Sequence, residues 1–524
     1  MLDAEQQAAV ACTDRWIYLQ AGPGSGKTRT LVSRIARLLR EGVSGHNILA
    51  ITFTRRAAME LRERVARDFA GGAEIGSREY VEAAAYLKGL EPCTLHALAL
   101  RLLRQQHPNA RAMPLDEADA VLIEAARDVG VRCPPSAAHM THSTRRRLMN
   151  DAQTSRRYLH LQHRLEAYGY ETLESLLFAL VRNSDAGRAP CFCWDAILVD
   201  ESQDLNPVQQ EIVLCLAKGS RIQGRRGAVF AVGDDVQSIF GWRGADPVRW
   251  AKVAPWTRLA LTTNYRSGRS IVVVSRDAAE GQPALLPMQT ARRNSQGRVY
   301  WGEIAYVSPA ALVSDIRDNL LNASGETATC AVLARTWYDL ERLKGELDEA
   351  QIDAEIARPD ANVWRSCGML LVLAVLRAHL YGDDLHRLAV ARMAPSLAGV
   401  PLPEVEQIDA GLAWWAPAGP LLFEDDPNLW ASVGDAIAAL DAVRARSMSI
   451  SEFLEFLAQA EEPEVHADVV LMTAHAAKGL EFDHVWWLGH EHGLTGEEQR
   501  VQYVAMTRAR NRLALADEIE PILF

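Results

Sequence analysis

Several features that would define other classes of protein are missing from this sequence. Its eight cysteines form no CxxC pair, and Cys191 and Cys193 stand too close together for a zinc site. The longest apolar run, residues 368–376, is too short to span a bilayer, and polar residues stand where a secretory signal would need a hydrophobic segment. The net charge of −11 excludes a non-specific polycation. We therefore expect reduced thiols, a cytoplasmic location and no membrane partner.

What the chain does contain is a repeated alternation of short apolar runs and helical stretches. With 524 residues, 48% of them apolar, it has ample material for several packed domains. Continuous apolar strands separated by helices are typical of parallel sheets that are covered on both faces. The runs fall into two sets, which predicts two α/β domains, and the mainly helical segments 104–190 and 358–463 interrupt them. The runs are residues 48–53, 197–199, 228–232, 331–333, 469–472 and 485–488.

A candidate phosphate-binding loop follows an early apolar stretch. Residues 21–30 read AGPGSGKTRT, and they come directly after the apolar stretch that predicts a strand. The closely spaced glycines allow backbone N–H groups to approach phosphate oxygens, and the N-terminus of the next helix favours an anion. Lys27 would reach the β- and γ-phosphates of ATP, and Thr28 would hold Mg²⁺. A chance glycine-rich turn is the alternative interpretation of this segment.

Two carboxylates follow the apolar residues 197–199, where partners of such a loop are expected. Asp200 would bind Mg²⁺, and Glu201 would orient and deprotonate the attacking water. A plain acidic turn is the alternative, which the loop upstream disfavours. The amide of Gln237, which follows another apolar run, is suited to sensing the γ-phosphate. Together these residues predict a site that hydrolyses ATP.

Aromatic and arginine side chains extend this candidate site. Phe240 and Trp242 are suited to stacking on nucleic-acid bases, although aromatic residues more often belong to a core. Tyr265 would stack on adenine, next to Arg266, and residues 503–510 (YVAMTRAR) supply a second such arginine, Arg508. Such arginines stabilise negative charge in the transition state, which is worth ~10³–10⁵ in rate. A single arginine on a helix is nevertheless usually a surface residue.

Taken in order, these motifs resemble those of superfamily 1 DNA helicases of the UvrD/Rep/PcrA group. Residues 2–6 (LDAEQ) match the adenine-reading motif of that family. Residues 50–58 (AITFTRRAA) and 93–97 (CTLHA) match two early motifs that contact single-stranded DNA, and residues 472–482 (MTAHAAKGLEF) match a late one. Because the motifs keep the family's order and reach both ends of the chain, chance is a poor explanation.

The resemblance implies a fold and a role for each matching residue. It implies two RecA-like P-loop domains with parallel sheets, each interrupted by a mainly helical accessory insertion. The implied segments are 1–103 and 191–257 for the first domain, 104–190 for its insertion, 258–357 and 464–524 for the second domain, and 358–463 for a reduced insertion. The implied catalytic residues are Lys27, Asp200, Glu201, Gln237, Arg266 and Arg508, with Mg²⁺ on Thr28 and Asp200. The implied ATP contacts are Gln6, Gly22, Gly24, Ser25, Gly26, Lys27, Thr28, Arg29, Tyr265 and Glu481. The implied DNA contacts are Phe53, His96, Phe240, Trp242, Arg243, Thr473 and His475.

By the same resemblance we expect an ATP-dependent 3′–5′ translocase and helicase that acts on single-stranded DNA and 3′-tailed duplexes. Only sixteen residues follow Arg508, and seven separate Gly489 from Glu497, where relatives have longer segments. These departures leave the motor motifs intact but argue against unwinding without a partner. A motor subunit that needs a protein partner, as beside the nuclease of Gabija phage-defence systems, is therefore kept as an alternative. A DNA-binding module with an inactive ATP site and an RNA motor are further alternatives. The intact Lys27 and Glu201 argue against an inactive site.

Overall fold

The structure is a computed structural model, and it describes most of the residues that carry the predicted motifs. Trp242, Arg243, Cys191, Cys193 and most of the predicted insertion at 104–190 lie outside the described residues. The described residues are 2–71, 78, 87, 89–106, 111–112, 170–171, 194–219, 221–222, 225–241, 244–291, 298–301, 309–320, 328–357, 367–381, 387, 390–391, 394–397, 400, 402, 408–415, 423, 427–443, 450, 467–491 and 493–516.

Helices and strands alternate along most of the described chain. The helices are α1 (Ala4–Ala11), α2 (Lys27–Arg40), α3 (Arg55–Phe69), α4 (Leu95–Gln106), α5 (Pro207–Gly219), α6 (Pro247–Trp250), α7 (Arg269–Ala278), α8 (Pro309–Asp318), α9 (Trp337–Glu349), α10 (Cys367–Tyr381), α11 (Ile408–Ala413), α12 (Pro427–Val443) and α13 (Gly496–Met506). The strands are β1 (Trp16–Ala21), β2 (Ile48–Ile51), β3 (Arg111–Ala112), β4 (Tyr170–Glu171), β5 (Ala196–Val199), β6 (Arg221–Ile222), β7 (Arg225–Arg226), β8 (Ala228–Gly233), β9 (Thr257–Leu261), β10 (Thr263–Asn264), β11 (Gln289–Thr290), β12 (Arg298–Trp301), β13 (Cys330–Ala334), β14 (Ala354–Ile356), β15 (Val469–Thr473), β16 (Phe482–Leu488) and β17 (Ala509–Ala516).

The first lobe, residues 2–98 and 194–261, is built on a five-stranded parallel sheet with the strand order β2-β5-β8-β1-β9. Strands β2 and β5 are buried along their whole length, as expected for strands that are covered on both faces. Since β8 lies between β5 and β1, the carboxyl ends of these three strands are neighbours. The phosphate loop, Asp200 and the segment that contains Gln237 therefore meet at one edge of the sheet.

The second lobe, residues 262–357 and 467–516, is built on a six-stranded parallel sheet with the order β12-β17-β16-β13-β15-β14. One buried apolar cluster contains Leu312, Leu340 and Trp486, and another contains Ile271, Trp487 and Val504. The prediction of an α/β protein with two parallel sheets is thus confirmed.

Strand pairing moves one predicted boundary. β9 pairs with β1, so the predicted division between residues 257 and 258 falls inside a strand of the first sheet. The crossing to the second lobe comes after Leu261, because hydrogen bonds between strands fix membership of a sheet and composition does not.

The chain divides into two compact units, of which the first holds both sheets and comprises Met1–Leu98, Leu180–Ala357 and Glu464–Phe524. The other domain boundaries stay predictions.

The second compact unit comprises Ala99–Ala179 and Arg358–Pro463. Its described core is helical, with α10 and α12 packed around Val375, Trp415 and Val433. The short strands β3 and β4 pair in parallel within this unit. Among the described residues, no helix is both long and apolar enough to cross a membrane.

Candidate nucleotide and nucleic-acid site

A tight loop joins β1 to α2. Gly24 and Gly26 have φ angles of +64° and +81°, in the left-handed region that favours glycine. A β-carbon on Gly26 would lie 2.7 Å from the side-chain nitrogen of Gln6, so a larger residue would have to displace that amide. The Nζ of Lys27 donates to the carbonyl of Ala21 at 3.2 Å, which holds the ammonium group at the loop. An anion at this position would meet the lysine charge and the N-terminus of α2 together.

The amide of Gln6, which was predicted to read adenine, contacts the protein through both of its polar atoms. Its Nε2 donates to the carbonyl of Ser25 at 3.0 Å, and its Oε1 accepts from the backbone N–H of Asp3 at 3.1 Å. The hydroxyl of Ser25 donates to the carbonyl of Gly22 at 2.6 Å. Gln6 therefore braces the loop from α1 in this structure, and its contact with adenine stays a prediction.

Tyr265 and Arg29, the predicted flanks of adenine, are both exposed, and the charge of Arg29 works against the rise in the pKa of Tyr265 that partial burial causes. Tyr265 is 43% exposed, and its backbone N–H donates to the carbonyl of Gly24 at 2.8 Å. Its hydroxyl bonds to the carboxylate of Asp3. Arg29 is exposed in the first turn of α2. The aromatic ring of Tyr265 and the guanidinium of Arg29 are therefore groups on which a flat ligand could stack.

The two predicted catalytic carboxylates follow β5 directly. Glu201 has φ +48°, a left-handed conformation that is uncommon outside glycine and that marks a constrained position. Its carboxylate accepts from the side chain of Gln203 at 2.6 Å, while the carboxylate of Asp200 accepts from the backbone N–H of Glu201 at 3.0 Å. Burial raises the pKa of Asp200 to about 7, and the charge of Glu201 adds to this shift.

Cations surround Glu201 and set its charge. Burial alone would raise the pKa of Glu201, but Lys27, Lys478 and Arg508 together hold it below its usual range. Gln203 contributes in the same direction through its hydrogen bond. Because the pKa of Asp200 rises while that of Glu201 falls, the two acids have different environments. Glu201 is the carboxylate that stays ionised and able to accept a proton.

Binding of Mg²⁺ by Thr28 and Asp200 stays a prediction, and the oxygen atoms of these two side chains are suited to it. Hydroxyl and carboxylate oxygens are the ligands that Mg²⁺ prefers, and a cation there would offset the burial that raises the pKa of Asp200. Across the described residues, no cluster of three or more histidine, cysteine, aspartate and glutamate side chains could hold a metal ion alone. Mg²⁺ commonly completes its coordination with substrate phosphate oxygens and water.

Arg266 of the second lobe reaches the phosphate loop. A β-carbon on Gly24 would lie 2.6 Å from the Cβ of Arg266. The Nη1 of Arg266 donates to the carbonyl of Thr507 at 3.1 Å, and its Nε donates to the carboxylate of Glu481 at 2.5 Å. Burial would raise the pKa of Glu481, but Arg510 and Arg266 lower it. Glu481 is thus tied to two arginines, and its contact with ribose stays a prediction.

Arg508 joins the two lobes at Gln237. The Nη2 of Arg508 donates to the Oε1 of Gln237 at 3.0 Å, while the Nε2 of Gln237 donates to the carboxylate of Asp234 at 2.7 Å. Arg508 is only 2% exposed, and its other nitrogens donate to the carbonyls of Val504 and Leu480. Burial lowers the pKa of Arg508 to about 9, so the guanidinium remains charged near neutral pH. The structure therefore brings Lys27, Glu201, Gln237, Arg266 and Arg508 into one neighbourhood.

Lys478 and Asp204 form a cross-lobe contact to which sequence reasoning gave no role. The Nζ of Lys478 lies 2.6 Å from a carboxylate oxygen of Asp204, and the two side chains are only 8% and 2% exposed. The same ammonium donates to the carbonyl of Gln237 and lies 4.8 Å from the ring centre of Phe240. Lys478 thus touches both the nucleotide side and the aromatic side of the site. The sequence feature that could have indicated a role is the position of Lys478 within residues 472–482, which match a late family motif.

The predicted base-stacking residues form a row that crosses between the lobes. The rings of Phe53 and Phe240 stack at 6° with their centres 5.6 Å apart, and His475 of the second lobe lies 6.4 Å from Phe240. Thr473 ends β15 and is buried, and its Oγ1 accepts from the backbone of Ala476. His96, in the first turn of α4, is partly exposed. Contact of these residues with DNA stays a prediction, and Trp242 and Arg243 lie outside the described residues.

Two family models match the chain. The UvrD/REP helicase N-terminal domain matches residues 2–129 and 115–254, and the UvrD-like helicase C-terminal domain matches residues 432–517. Together these matches cover the phosphate loop, the carboxylates after β5 and the arginine after α13. The chain belongs to the UvrD/Rep helicase family, which confirms the resemblance seen in its motifs.

Relatives that align along almost the whole chain agree with this assignment. DNA helicase II of Escherichia coli (strain K12) is 25% identical over 98% of this chain and 84% of its own length. The ATP-dependent DNA helicase UvrD2 of Mycobacterium tuberculosis (strain H37Rv) is 27% identical over 98% of this chain and 78% of its own length. DNA helicase II of Haemophilus influenzae is 24% identical over 98% of this chain.

Proposed function

We propose that the chain is a cytoplasmic motor that hydrolyses ATP to move 3′ to 5′ along single-stranded DNA and to unwind duplexes. The observation that supports this most is the meeting of the two lobes at one site, with Arg508 on Gln237 and Arg266 beside Gly24. Membership of the UvrD/Rep family supports an ATP-dependent DNA helicase, and relatives carry that description. The direction of travel is carried over from the family resemblance.

The charges at the site support ATP hydrolysis. Glu201, which its cationic neighbours keep ionised, would accept a proton from the attacking water. Lys27 would bind the β- and γ-phosphates, and Arg508 would meet charge that develops on the γ-phosphate. Thr28 and Asp200 would hold Mg²⁺, which supplies further charge neutralisation at the phosphates when bound. Each lobe therefore contributes part of the charge that a triphosphate needs.

Movement would follow from the change in phosphate charge. A triphosphate favours closed lobes because Lys27 of the first lobe and Arg266 of the second would both contact it. Loss of the γ-phosphate removes that attraction, so the lobes separate. Phe53 of the first lobe and His475 of the second, which lie on either side of Phe240, would hold bases by stacking at ~1–3 kcal/mol per base, whatever the sequence. Alternating closure would then advance the protein along one strand.

ATP turnover with and without single-stranded DNA is the first test. The proposal expects turnover to rise with DNA concentration and to saturate. Lys27→Ala should abolish turnover while DNA binding, measured by fluorescence anisotropy, remains. Arg37→Ala serves as a matched control, because Arg37 lies on the same helix and pairs with Glu41 at the surface. A wild-type rate of ATP turnover that does not change when single-stranded DNA is added would overturn the proposed motor.

Strand polarity and unwinding need a second experiment. Translocation along bare single strands and displacement of duplexes with 3′ or 5′ tails would be measured on the same preparation. The proposal expects movement toward the 5′ end and displacement of the 3′-tailed duplex. Translocation without displacement would favour the partner-dependent motor, which the short connection between β16 and α13 supports. Displacement of only the 5′-tailed duplex would refute the direction.

A further inference from the structure

The loop from Ser238 to Gly241, which carries Phe240, is held by α13 of the second lobe. The carboxylate of Glu497 accepts from the backbone N–H of Gly241 at 3.0 Å. The Nε of Arg500, one turn further along α13, donates to the carbonyl of Ser238 at 2.7 Å. These contacts grip the loop by its backbone on both sides of Phe240. Neither contact involves the aromatic ring of Phe240.

Packing and charge tighten this attachment. A β-carbon on Gly241 would lie 2.5 Å from the Oε2 of Glu497, so the carboxylate sits directly against the loop. Burial lowers the pKa of both Arg500 and His475, and the nearby charge of Glu497 works against each shift. Glu497 therefore lies within electrostatic reach of both groups. Ile239, between the two gripped residues, is fully buried in an apolar cluster with Val504 of α13.

The same helix leads directly to the nucleotide side of the site. α13 ends at Met506, and Arg508 follows two residues later. Arg508 donates to Gln237, which immediately precedes the gripped loop. The segment 237–241 is therefore tied to α13 and its C-terminal extension at three points. A displacement of the backbone at Phe240 would therefore act on Glu497, Arg500 and Arg508.

We propose that Glu497 and Arg500 are positioning residues that couple DNA at Phe240 to Arg508 at the nucleotide. They fasten the loop to α13, so that a base stacked on Phe240 fixes the helix and, with it, the guanidinium of Arg508. The inference rests on the proposed function, because it requires ATP turnover that DNA stimulates. Neither residue touches the nucleotide or the DNA in this scheme.

Glu497→Ala is the direct test, with Glu498→Ala as the matched control. Both residues lie in the first turn of α13, but the carboxylate of Glu498 pairs with Arg335 at 2.7 Å instead of the loop. We expect Glu497→Ala to lower the ratio of DNA-saturated to DNA-free turnover about tenfold, equivalent to about 1.4 kcal/mol at 25 °C. Glu498→Ala should leave that ratio unchanged. Glu497→Gln retains an acceptor oxygen and should restore most of the ratio.

Gly241→Ala tests the same contact while Glu497 itself is retained. An alanine side chain would displace the carboxylate of Glu497, so this variant should reproduce the lowered ratio. In the double variant with Glu497→Ala the obstruction is gone, and the ratio should equal that of Glu497→Ala alone. Additive losses in the double variant would contradict a shared contact. This variant also keeps the proposal testable if Glu497→Ala fails to fold.

The outcomes separate this inference from the proposed function. Wild-type turnover without DNA stimulation would overturn the motor and the coupling together. Strong wild-type stimulation with an unchanged ratio in Glu497→Ala and Arg500→Ala would overturn the coupling alone. A parallel fall of both rates, at an unchanged ratio, would also overturn it, since a merely structural contact behaves that way. Thermal unfolding of each variant would establish that the compared molecules are folded.

Discussion

Gln237→Glu is a small change that places a negative charge where the γ-phosphate is expected. The wild-type amide faces two groups, since its Oε1 accepts from Arg508 at 3.0 Å and its Nε2 donates to Asp234 at 2.7 Å. A glutamate keeps the shape of the side chain and its contact with Arg508. It replaces the donor that faces Asp234 with an oxygen. The variant therefore changes charge while preserving volume.

Two opposing energies decide whether this variant folds. With an effective dielectric constant of about 20, two charges at the 2.7 Å separation from Asp234 repel by about 6 kcal/mol. At the 3.0 Å separation from Arg508 the attraction is of similar size, about 5.5 kcal/mol. Burial already raises the pKa of Asp234, so protonation of this carboxyl offers further relief. The new carboxylate is also buried, and its desolvation is unfavourable, so we expect the variant to fold with a lower unfolding temperature than the wild type.

Catalysis should respond very differently from stability. The new carboxylate would hold Arg508 in an ion pair and repel the γ-phosphate, so both effects oppose the transition state. Removing a single group of this kind costs ~10²–10³ in kcat, and we expect at least that loss at saturating DNA. The assay is steady-state ATP turnover, with thermal unfolding measured alongside. Gln351→Glu, which adds the same charge at an exposed position after α9, should leave turnover unchanged. Turnover in Gln237→Glu within about threefold of wild type would refute a γ-phosphate beside Gln237.

Three further predictions concern other parts of the site and its support. Glu201→Gln should lower ATP turnover by ~10²–10⁴, because the general base is lost, while ATP binding is retained. Filter binding of labelled ATP would measure the retained binding, and near-normal turnover would contradict the role of Glu201. Lys478→Met should lower the unfolding temperature, since breaking a buried ion pair costs ~3–5 kcal/mol, and adding Asp204→Asn should restore much of it. Asp315→Asn should destabilise the second lobe, because its carboxylate accepts from Arg512 at 2.7 Å. Turnover per folded molecule should not change in that variant, and a selective loss of turnover would contradict a purely structural role.

Much of the architecture could be predicted from local sequence. The apolar run before Asp200 is β5, and the strand–loop–helix around Lys27 is present, because both depend on short-range patterns. The parallel sheets followed from alternation of apolar strands with helices. Membership of β9 in the first sheet could not be predicted, since it depends on pairing with β1. A pattern along the chain does not encode which strand lies beside it.

The polar contacts between the lobes could not be predicted from the sequence, for the same reason. Lys478 and Asp204 are 274 residues apart, and Glu497 and Gly241 are 256 apart. No local periodicity links such pairs, because their two members lie in lobes that are built on different sheets. Gln6 shows a subtler difficulty. Its motif predicts a contact with adenine, whereas the structure gives its amide to the loop and to the cap of α1.

The burial of Ile239 constrains how the lobes could separate. This residue belongs to the first lobe by sequence, yet it packs in the core of the second beside Val504. Withdrawing such a side chain into water costs ~1.5–3 kcal/mol, and the grips of Glu497 and Arg500 on its neighbours oppose withdrawal as well. These contacts favour a bend of the chain between β8 and Ile239, and such a bend would break the hydrogen bond from the Ser238 hydroxyl to the carbonyl of Gln203. The loop that carries Phe240 would then travel with the second lobe, while Phe53 stays with the first. If the proposed motor opens in this way, the two stacked rings would part and a gap for a base would form between them.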